Sequence, residues 1–283
     1  MPANPRAILG FVFIEEASLK NYDPCKFLNG LFDLENKVAV IIGGAGVLCG
    51  AMAWGLLEAG CRVALVDSNR KKADAHFQRW KSPPEKAMFF KADVTQRDQV
   101  AKIIPAVLEW FGEIDIWING AGIAPPKPYL EIMDEEFEAI LNVNLKAVHF
   151  GCQVIGEHWV NRGKKGCIIN ISSMAAIRPL SRSFVYSLSK AGLLNLTQNL
   201  AREWAPHGIR VNALCPGFFP TEQNRQILDK QRIEAIMRLT PMARFGNSKE
   251  LIGATLLLAS EKAGSFITGA NLVVDGGFSV MSI

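Results

Sequence analysis

The sequence predicts a single α/β domain, a doubly wound parallel sheet of seven strands with helices on both faces. Seven strand-like runs recur along the chain, and the intervals between them read as helices. Strand alternating with helix implies right-handed crossovers and a parallel sheet. Most of the runs are continuously apolar rather than alternating, the pattern of strands covered on both sides. No linker breaks the sequence between residues 34 and 283, so one domain is expected there.

The strands are expected at Lys37–Ile42, Arg62–Val66, Ala87–Lys91, Asp115–Ile118, Cys167–Ser172, Arg210–Cys215 and Asn271–Val274. The helical stretches between them are Val47–Ala59, Asn69–Trp80, Thr95–Phe111, Asp134–Asn161, Phe184–Ala205 and Ser248–Ser260. Two pieces stand apart. Residues 1–33 show no fold of their own; they read as a disordered segment or as an arm packed on a neighbouring subunit through Phe11, Phe13, Phe27 and Phe32. Residues 218–245 form an insertion after the sixth strand, with a helix-like stretch at Asn224–Arg238. Ligands in such sheets bind outside the carboxyl ends of the strands, so this insertion is placed to act as a lid.

Composition removes other classes. Lys+Arg 31 against Asp+Glu 27 leaves +4, with both signs scattered, which excludes a polybasic nucleic-acid arm or an acidic tail. Hydrophobic content of 49% with 20% charged residues belongs to a folded chain. The 6 cysteines sit singly and the 4 histidines form no cluster, so neither a metal site nor a disulfide framework is expected. Val38 to Leu57 carries no charge, yet glycines interrupt it and its character changes midway from β-branched to Ala/Met/Leu/Trp. A buried strand, a glycine turn and a buried helix explain it better than a membrane span. The apolar stretch Ile8–Ile14 is too short and too closely flanked by charge for a secretory signal. A soluble, cytoplasmic chain without nucleic-acid or membrane partners is the expectation.

The first expected strand runs into Gly43-Gly44-Ala45-Gly46-Val47-Leu48-Cys49-Gly50 and then a helix. Glycines such as Gly43 and Gly46 let backbone approach a pyrophosphate, whose charge is met by N–H groups at the helix start, around Val47 and Leu48. Asp67 ends the second strand, where a carboxylate can accept both hydroxyls of an adenosine ribose and repel a 2′-phosphate. A Rossmann-like site for NAD is therefore expected. NADP is less favoured, with Arg70 the residue that would pair its extra phosphate, and a plain helix cap is the competing role for Asp67. Asp93 and Val94 close the third strand, where an adenine edge could be read. Asn119-Gly120-Ala121-Gly122 closes the fourth, with glycines where backbone must pass close to the cofactor.

Tyr186 and Lys190 stand four residues apart in a helical stretch and so share one face. A phenol is a poor base at neutral pH; a neighbouring ammonium favours the phenolate and lowers its pKa. Ser173, at the end of the fifth strand, can donate to a developing alkoxide or ketone oxygen. Read alone, a Tyr–Lys pair is a solvated surface contact. The coincidence of Ser173 with the rim to which the glycine groove leads turns the reading toward catalysis.

These residues, together with Pro216-Gly217 and Asp275-Gly276-Gly277, resemble the short-chain dehydrogenase/reductase signature over about residues 34–283. The resemblance implies a catalytic tetrad of Asn144, Ser173, Tyr186 and Lys190. In that family the Tyr is acid and base, the Lys binds the nicotinamide ribose and lowers the Tyr pKa, the Ser polarises the substrate, and the Asn holds a water in a proton relay. It also implies that Pro216, Gly217, Phe219 and Thr221 face the nicotinamide, the last two holding its carboxamide, and that the chain forms a homotetramer. The family's usual Thr-Gly-x-x-x-Gly-x-Gly becomes Ile42-Gly43-Gly44-Ala45-Gly46-Val47-Leu48-Cys49; the Thr and the later two glycines are replaced.

Within the family the chain is similar to the mannonate oxidoreductase (fructuronate reductase) branch. The matching words are the Gly-Val-Leu after the glycine turn, the run Ser172 to Pro179 and the run Gly217 to Arg225. An anionic substrate is then expected, gripped by Arg178, Arg182 or Arg225, since a guanidinium can hold a carboxylate bidentately. Ion pairs within the protein are the competing role for these arginines. Gln223 and Asn224 could bond sugar hydroxyls. The expected activity is hydride transfer between NAD(H) and a secondary alcohol or ketone of a sugar acid, with D-mannonate/D-fructuronate leading. A gluconate 5-dehydrogenase or other polyol enzyme is the alternative. The altered glycine turn prompts one of another class, a non-catalytic nucleotide-binding regulator.

Overall fold

The two-residue alternation of side-chain direction along the continuously buried strands divides the core into two layers. β1 (Val38–Ile42) sends Ala39 and Ile41 into one layer and Val38, Val40 and Ile42 into the other. The same alternation splits β2 (Arg62–Asp67), with Val63 and Leu65 on the first side and Ala64 and Val66 on the second. The computed structural model describes residues 23–220 and 229–282. β3 (Ala87–Lys91), β4 (Ile116–Asn119), β5 (Gly166–Ile171), β6 (Ile209–Pro216) and β7 (Asn271–Val274) complete a seven-stranded sheet in the order β3-β2-β1-β4-β5-β6-β7. Each neighbouring pair is parallel. The order reverses between β1 and β4, and the groove at that switch point lies at the strands' carboxyl ends.

α1 (Pro24–Leu31) lies ahead of the sheet, in a segment for which the sequence suggested no structure. Asp23 caps it by accepting from the N–H groups of Cys25 and Lys26, and Pro24 occupies a first-turn position where its missing N–H costs nothing. Phe27 and Phe32 are exposed there; Phe11 and Phe13 lie outside the described residues. α2 (Val47–Glu58), α3 (Arg70–Trp80) and α8 (Phe184–Trp204) follow the expected ranges closely. The charge-free stretch thus becomes β1, the glycine turn and α2. Among the described residues no helix is long and apolar enough to cross a membrane.

Two expected helices divide. The stretch Thr95–Phe111 breaks into α4 (Arg97–Ala101) and α5 (Ile103–Phe111). Pro105 explains the break, because its ring cannot pass the carbonyl of Ala101, four residues earlier. The stretch Asp134–Asn161 becomes α6 (Asp134–Leu141), a π-helical turn over Asn142–Lys146, and α7 (Ala147–Asn161). The wider turn rotates the face of the helix locally, a feature frequent at functional sites. Beyond β6, α9 (Lys230–Leu239) forms part of the predicted insertion, and α10 (Leu251–Ala259) packs its Leu251 and Leu258 into the same layer as Met52, Ala53 and Leu56 of α2.

All six cysteines are free thiols: Cys25 is exposed and the other five are buried. The five buried thiols agree with the reading as small core residues; Cys25, on the surface of α1, does not.

Candidate active site

The glycine turn between β1 and α2 is built for close approach. Gly43 has φ +73°, and a Cβ there would stand 2.7 Å from the Ala121 amide nitrogen. The backbones of the β1 and β4 ends therefore pass each other at a distance only glycine allows. Gly46 precedes α2 without any side-chain cap, so the first-turn N–H groups around Val47 and Leu48 remain open to an anion. Cys49, which replaces a glycine of the usual pattern, points into the core toward Gly120, where a Cβ would lie 2.1 Å from its sulfur. The Cys49 side chain fills the space under the turn, whereas Val47, at the other replaced glycine, is exposed.

At the end of β2, Asp67 accepts from the N–H groups of Ala45 at 3.2 Å and Asn69 at 3.0 Å. The carboxylate thus ties the glycine turn to the end of β2 while also closing the turn into α3. Arg70, the residue that would pair a 2′-phosphate, is engaged by Asp74 at 2.8 Å and lies over the Phe89 ring. Asp93 closes its own turn by accepting from the Thr95 N–H and hydroxyl, and Val94 packs against the core. These residues fit a nicotinamide dinucleotide: an uncapped helix start for the pyrophosphate, a carboxylate for the ribose, and glycine backbone beneath.

Ser173, Tyr186, Lys190 and Asn144 come together at the carboxyl ends of β4, β5 and β6. Ser173 directly follows Ser172 at the end of β5; its Oγ accepts from the Ala175 N–H at 3.1 Å and is bonded to Tyr186. Lys190, one turn along α8 from Tyr186, is 4% exposed and donates to the Ile171 carbonyl at 2.7 Å. Asn144 occupies the π-turn, fully buried. Its Oδ1 accepts from the Ile123 N–H at 2.8 Å, and its Nδ2 donates to the Ile123 carbonyl and to Ser189 Oγ. Ser189 in turn donates to the Tyr186 carbonyl at 2.7 Å. Gly122 sits over the group: a Cβ there would lie 3.4 Å from Asn144 Oδ1 and 3.5 Å from Lys190 Nζ.

The electrostatics of this group differ from the sequence expectation. Burial holds the Tyr186 phenol above its ordinary value, with the Ser173 hydroxyl pulling the other way. Burial also pushes Lys190 down to about 8. The ammonium is spent on Ile171 and sits 5.8 Å from the Tyr186 ring centroid, so it does not outweigh desolvation of the phenolate. Such a pair can hold and pass a proton, and becomes basic only when further positive charge arrives beside it.

Several expected contacts lie elsewhere. Strand alternation turns the Asn119 side chain away from the groove into the second core layer, where it bonds Trp117, Asn170 and Cys152. Only its backbone remains on the groove side. The Phe219 side chain likewise packs in the core, against Gly246, behind Pro216 and Gly217. Arg178 does not wait for a substrate carboxylate, because its guanidinium holds the carbonyls of Ser279 at 2.7 Å and Met281 at 3.5 Å. Thr221, Gln223, Asn224 and Arg225 lie outside the described residues. Sequence reasoning missed Cys215, whose thiol is bonded by the Ser172 side chain and the Ser173 backbone, and Ser189. A small residue at a strand end gives no sign of what it will touch.

Comparison with known proteins bears on the same residues. A family model described as enoyl-(acyl carrier protein) reductase matches residues 46–279. The chain is 34% identical over 248 residues to the 2-dehydro-3-deoxy-D-gluconate 5-dehydrogenase of Escherichia coli, covering 87% of this chain and 97% of that protein. It is 33% identical over 249 residues to an NAD-dependent glycerol dehydrogenase of Listeria innocua, covering 88% and 96%. A solved gluconate 5-dehydrogenase from Burkholderia cenocepacia, in complex with NADP and tartrate, superposes with a TM-score of 0.84 at 32% identity, covering 90% of this chain and 100% of that one. The family match begins just after β1 and spans the remaining six strands, within which positions 173, 186 and 190 fall. The chain belongs to the short-chain dehydrogenase/reductase family, NAD(P)-dependent oxidoreductases acting on CH–OH groups.

Proposed function

We propose that the protein oxidises a secondary alcohol of a sugar acid, or reduces the matching ketone, and that a gluconate-type acid is its substrate rather than mannonate. A nicotinamide dinucleotide, when bound, supplies or takes up the hydride. Tyr186 takes the substrate's hydroxyl proton during oxidation and returns one to the carbonyl oxygen during reduction. Ser173 donates to that oxygen and fixes its position. Lys190 keeps positive charge beneath the phenol, and Asn144 braces the loop at Ile123 against α8.

The observation that carries the sugar-acid reading is a small cleft lined by Tyr186, Arg182, Lys127 and Glu136 among others. Lys127 is paired with Glu136 at 2.6 Å, whereas the Arg182 guanidinium has no protein partner among the described residues. With Arg178 occupied, Arg182 is, among the described residues, the expected arginine left to hold a carboxylate beside the phenol. Relatives named for gluconate-type acids favour that substrate over mannonate. The assembled Ser173–Tyr186–Lys190 group counts against a regulator without catalysis.

NAD is the proposed cofactor. Asp67 carries negative charge where a 2′-phosphate would have to lie, and Arg70 is occupied by Asp74. A homotetramer is part of the same proposal, checked by light scattering. The deciding experiment is a panel of D-gluconate, 2-dehydro-3-deoxy-D-gluconate, D-mannonate and glycerol with NAD+ and NADP+, read by nicotinamide absorbance. Gluconate-type acids with NAD+ are expected to give kcat/KM at least about tenfold above the others. Faster turnover of mannonate, or of glycerol, would replace this reading.

A further inference from the structure

We infer that Arg178 is a positioning residue that uses the end of the chain as a strap across the two walls of the substrate site. The inference rests on the proposed function for what the site binds, and on the geometry of the chain after β7 for the strap itself. After β7, Gly276 (φ +65°) and Gly277 (φ +90°) turn the chain back toward the site. Asp275 holds this turn by accepting from the N–H groups of Gly277 at 2.9 Å and Ser279 at 2.7 Å. The segment is then pinned at two places. Phe278 packs edge-on against Phe218, ring centroids 5.1 Å apart, where the chain leaves β6. Arg178 takes the carbonyls of Ser279 and Met281 through Nε and one terminal nitrogen.

Arg178 lies one short turn beyond Ser173, and the turn between them is tight. The Ala176 N–H donates to the Ser173 carbonyl at 3.0 Å and the Arg178 N–H to the Met174 carbonyl at 2.9 Å. Ser173 Oγ is fixed by Ala175 within the same turn. A pull on Arg178 is therefore transmitted to Ser173 with little slack. On the other wall, Gly217 N–H is bonded to the Val274 carbonyl, so Phe218 is anchored to the same strand that feeds the strap. The strap adds a link between the serine turn and the post-β6 segment beyond the pairing of β5 with β6 and the Cys215 thiol. A guanidinium suits this role, because its fork reaches two carbonyls that a single ammonium could not hold in one geometry.

The role separates from carboxylate gripping by charge selectivity. In Arg178→Ala, KM is expected to rise at least tenfold for a sugar acid and for a neutral polyol alike, with kcat falling less than threefold and NADH affinity, read by fluorescence, unchanged. Arg178→Lys should recover part of the loss. Phe278→Ala should raise KM in the same sense, and the double variant should be no worse than the poorer single one, since both cut one strap. Hydrogen exchange gives a readout that needs no substrate: residues 174–180 should exchange faster in Phe278→Ala as well as in Arg178→Ala. A KM increase confined to carboxylated substrates, or unchanged exchange at 174–180 in Phe278→Ala, would overturn the inference. Failure of every panel substrate in the wild type would instead sink the proposed function, leaving the exchange result to decide the strap.

Discussion

In α8 the Lys190 ammonium stands 5.8 Å from the centroid of the Tyr186 ring while donating to the Ile171 carbonyl at 2.7 Å. The cation is thereby locked to the end of β5 and cannot swing away when the site fills. Burial works against both charged forms: it raises the phenol and lowers Lys190 to about 8. Free of ligand at neutral pH, the pair is a neutral phenol over an amine that still holds its proton, and charge brought in by a cofactor shifts it toward the reactive state.

Removing the phenolic oxygen tests the proton transfer. Tyr186→Phe is expected to lower kcat by about 10³-fold. NADH binding should stay within about twofold of wild type. Stability should fall by only about 1 kcal/mol, the worth of the lost bond to Ser173. Turnover close to wild type would assign the proton to another group.

Lys190 gives a pH signature. The unfolded chain keeps this proton up to the ordinary value of 10.5, whereas the native state releases it near about 8. Between those values the unfolded state binds more protons, so native stability gains as pH rises. Below pH ~8 the whole cost of the buried ammonium is present; by pH ~10.5 up to about 3 kcal/mol of it is relieved. Urea unfolding of wild type and Lys190→Met should therefore show their difference moving in favour of wild type as pH rises from 7 to 10. A constant difference would mean the ammonium is not held down by burial.

Cys49 and Gly120 should behave as one packing unit. Gly120→Ala puts a methyl 2.1 Å from the Cys49 sulfur and is expected to cost about 1–3 kcal/mol. Cys49→Ala in the same chain should return at least about 1 kcal/mol, a non-additivity visible in denaturant midpoints. Simple addition of the two losses would show that the turn relaxes by another route.

Asp67 is expected to set the cofactor preference. Asp67→Ala should move the NAD+/NADP+ ratio of kcat/KM toward NADP+ by at least about tenfold, by removing a carboxylate from the place of the 2′-phosphate. Overall efficiency should fall too, since the Ala45 and Asn69 N–H groups lose their acceptor. An unchanged ratio would leave the preference to Arg70.

Much of this molecule is legible in the one-dimensional chain because its signals are local. Strand length, continuous apolar runs and the glycine turn act over a few residues, and the four-residue spacing of Tyr186 and Lys190 fixes a shared helix face. Misses arose where one residue altered a longer pattern. Pro105 split a helix that periodicity carried through, and the π-turn at Asn142–Lys146 rotated Asn144 out of the register that a continuous helix would give. α1 escaped because eight residues make little more than two turns, too few to establish a period, although Asp23-Pro24 marks its start.

What the sequence by itself determined is the doubly wound sheet, the order of its elements and the identity of the Ser–Tyr–Lys group. The sheet follows from hydrophobic period, and the catalytic group from the Tyr186–Lys190 spacing together with the family resemblance that adds Ser173. Only the tertiary structure decided which side each strand residue faces, sending Asn119 and Phe219 into the core, and which distant groups meet, giving Arg178 to Ser279 and leaving Arg182 without a protein partner among the described residues. Residues 178 and 279 are a hundred positions apart. No pattern within either stretch encodes their meeting, since it is set by where β5 and β7 end in the folded sheet.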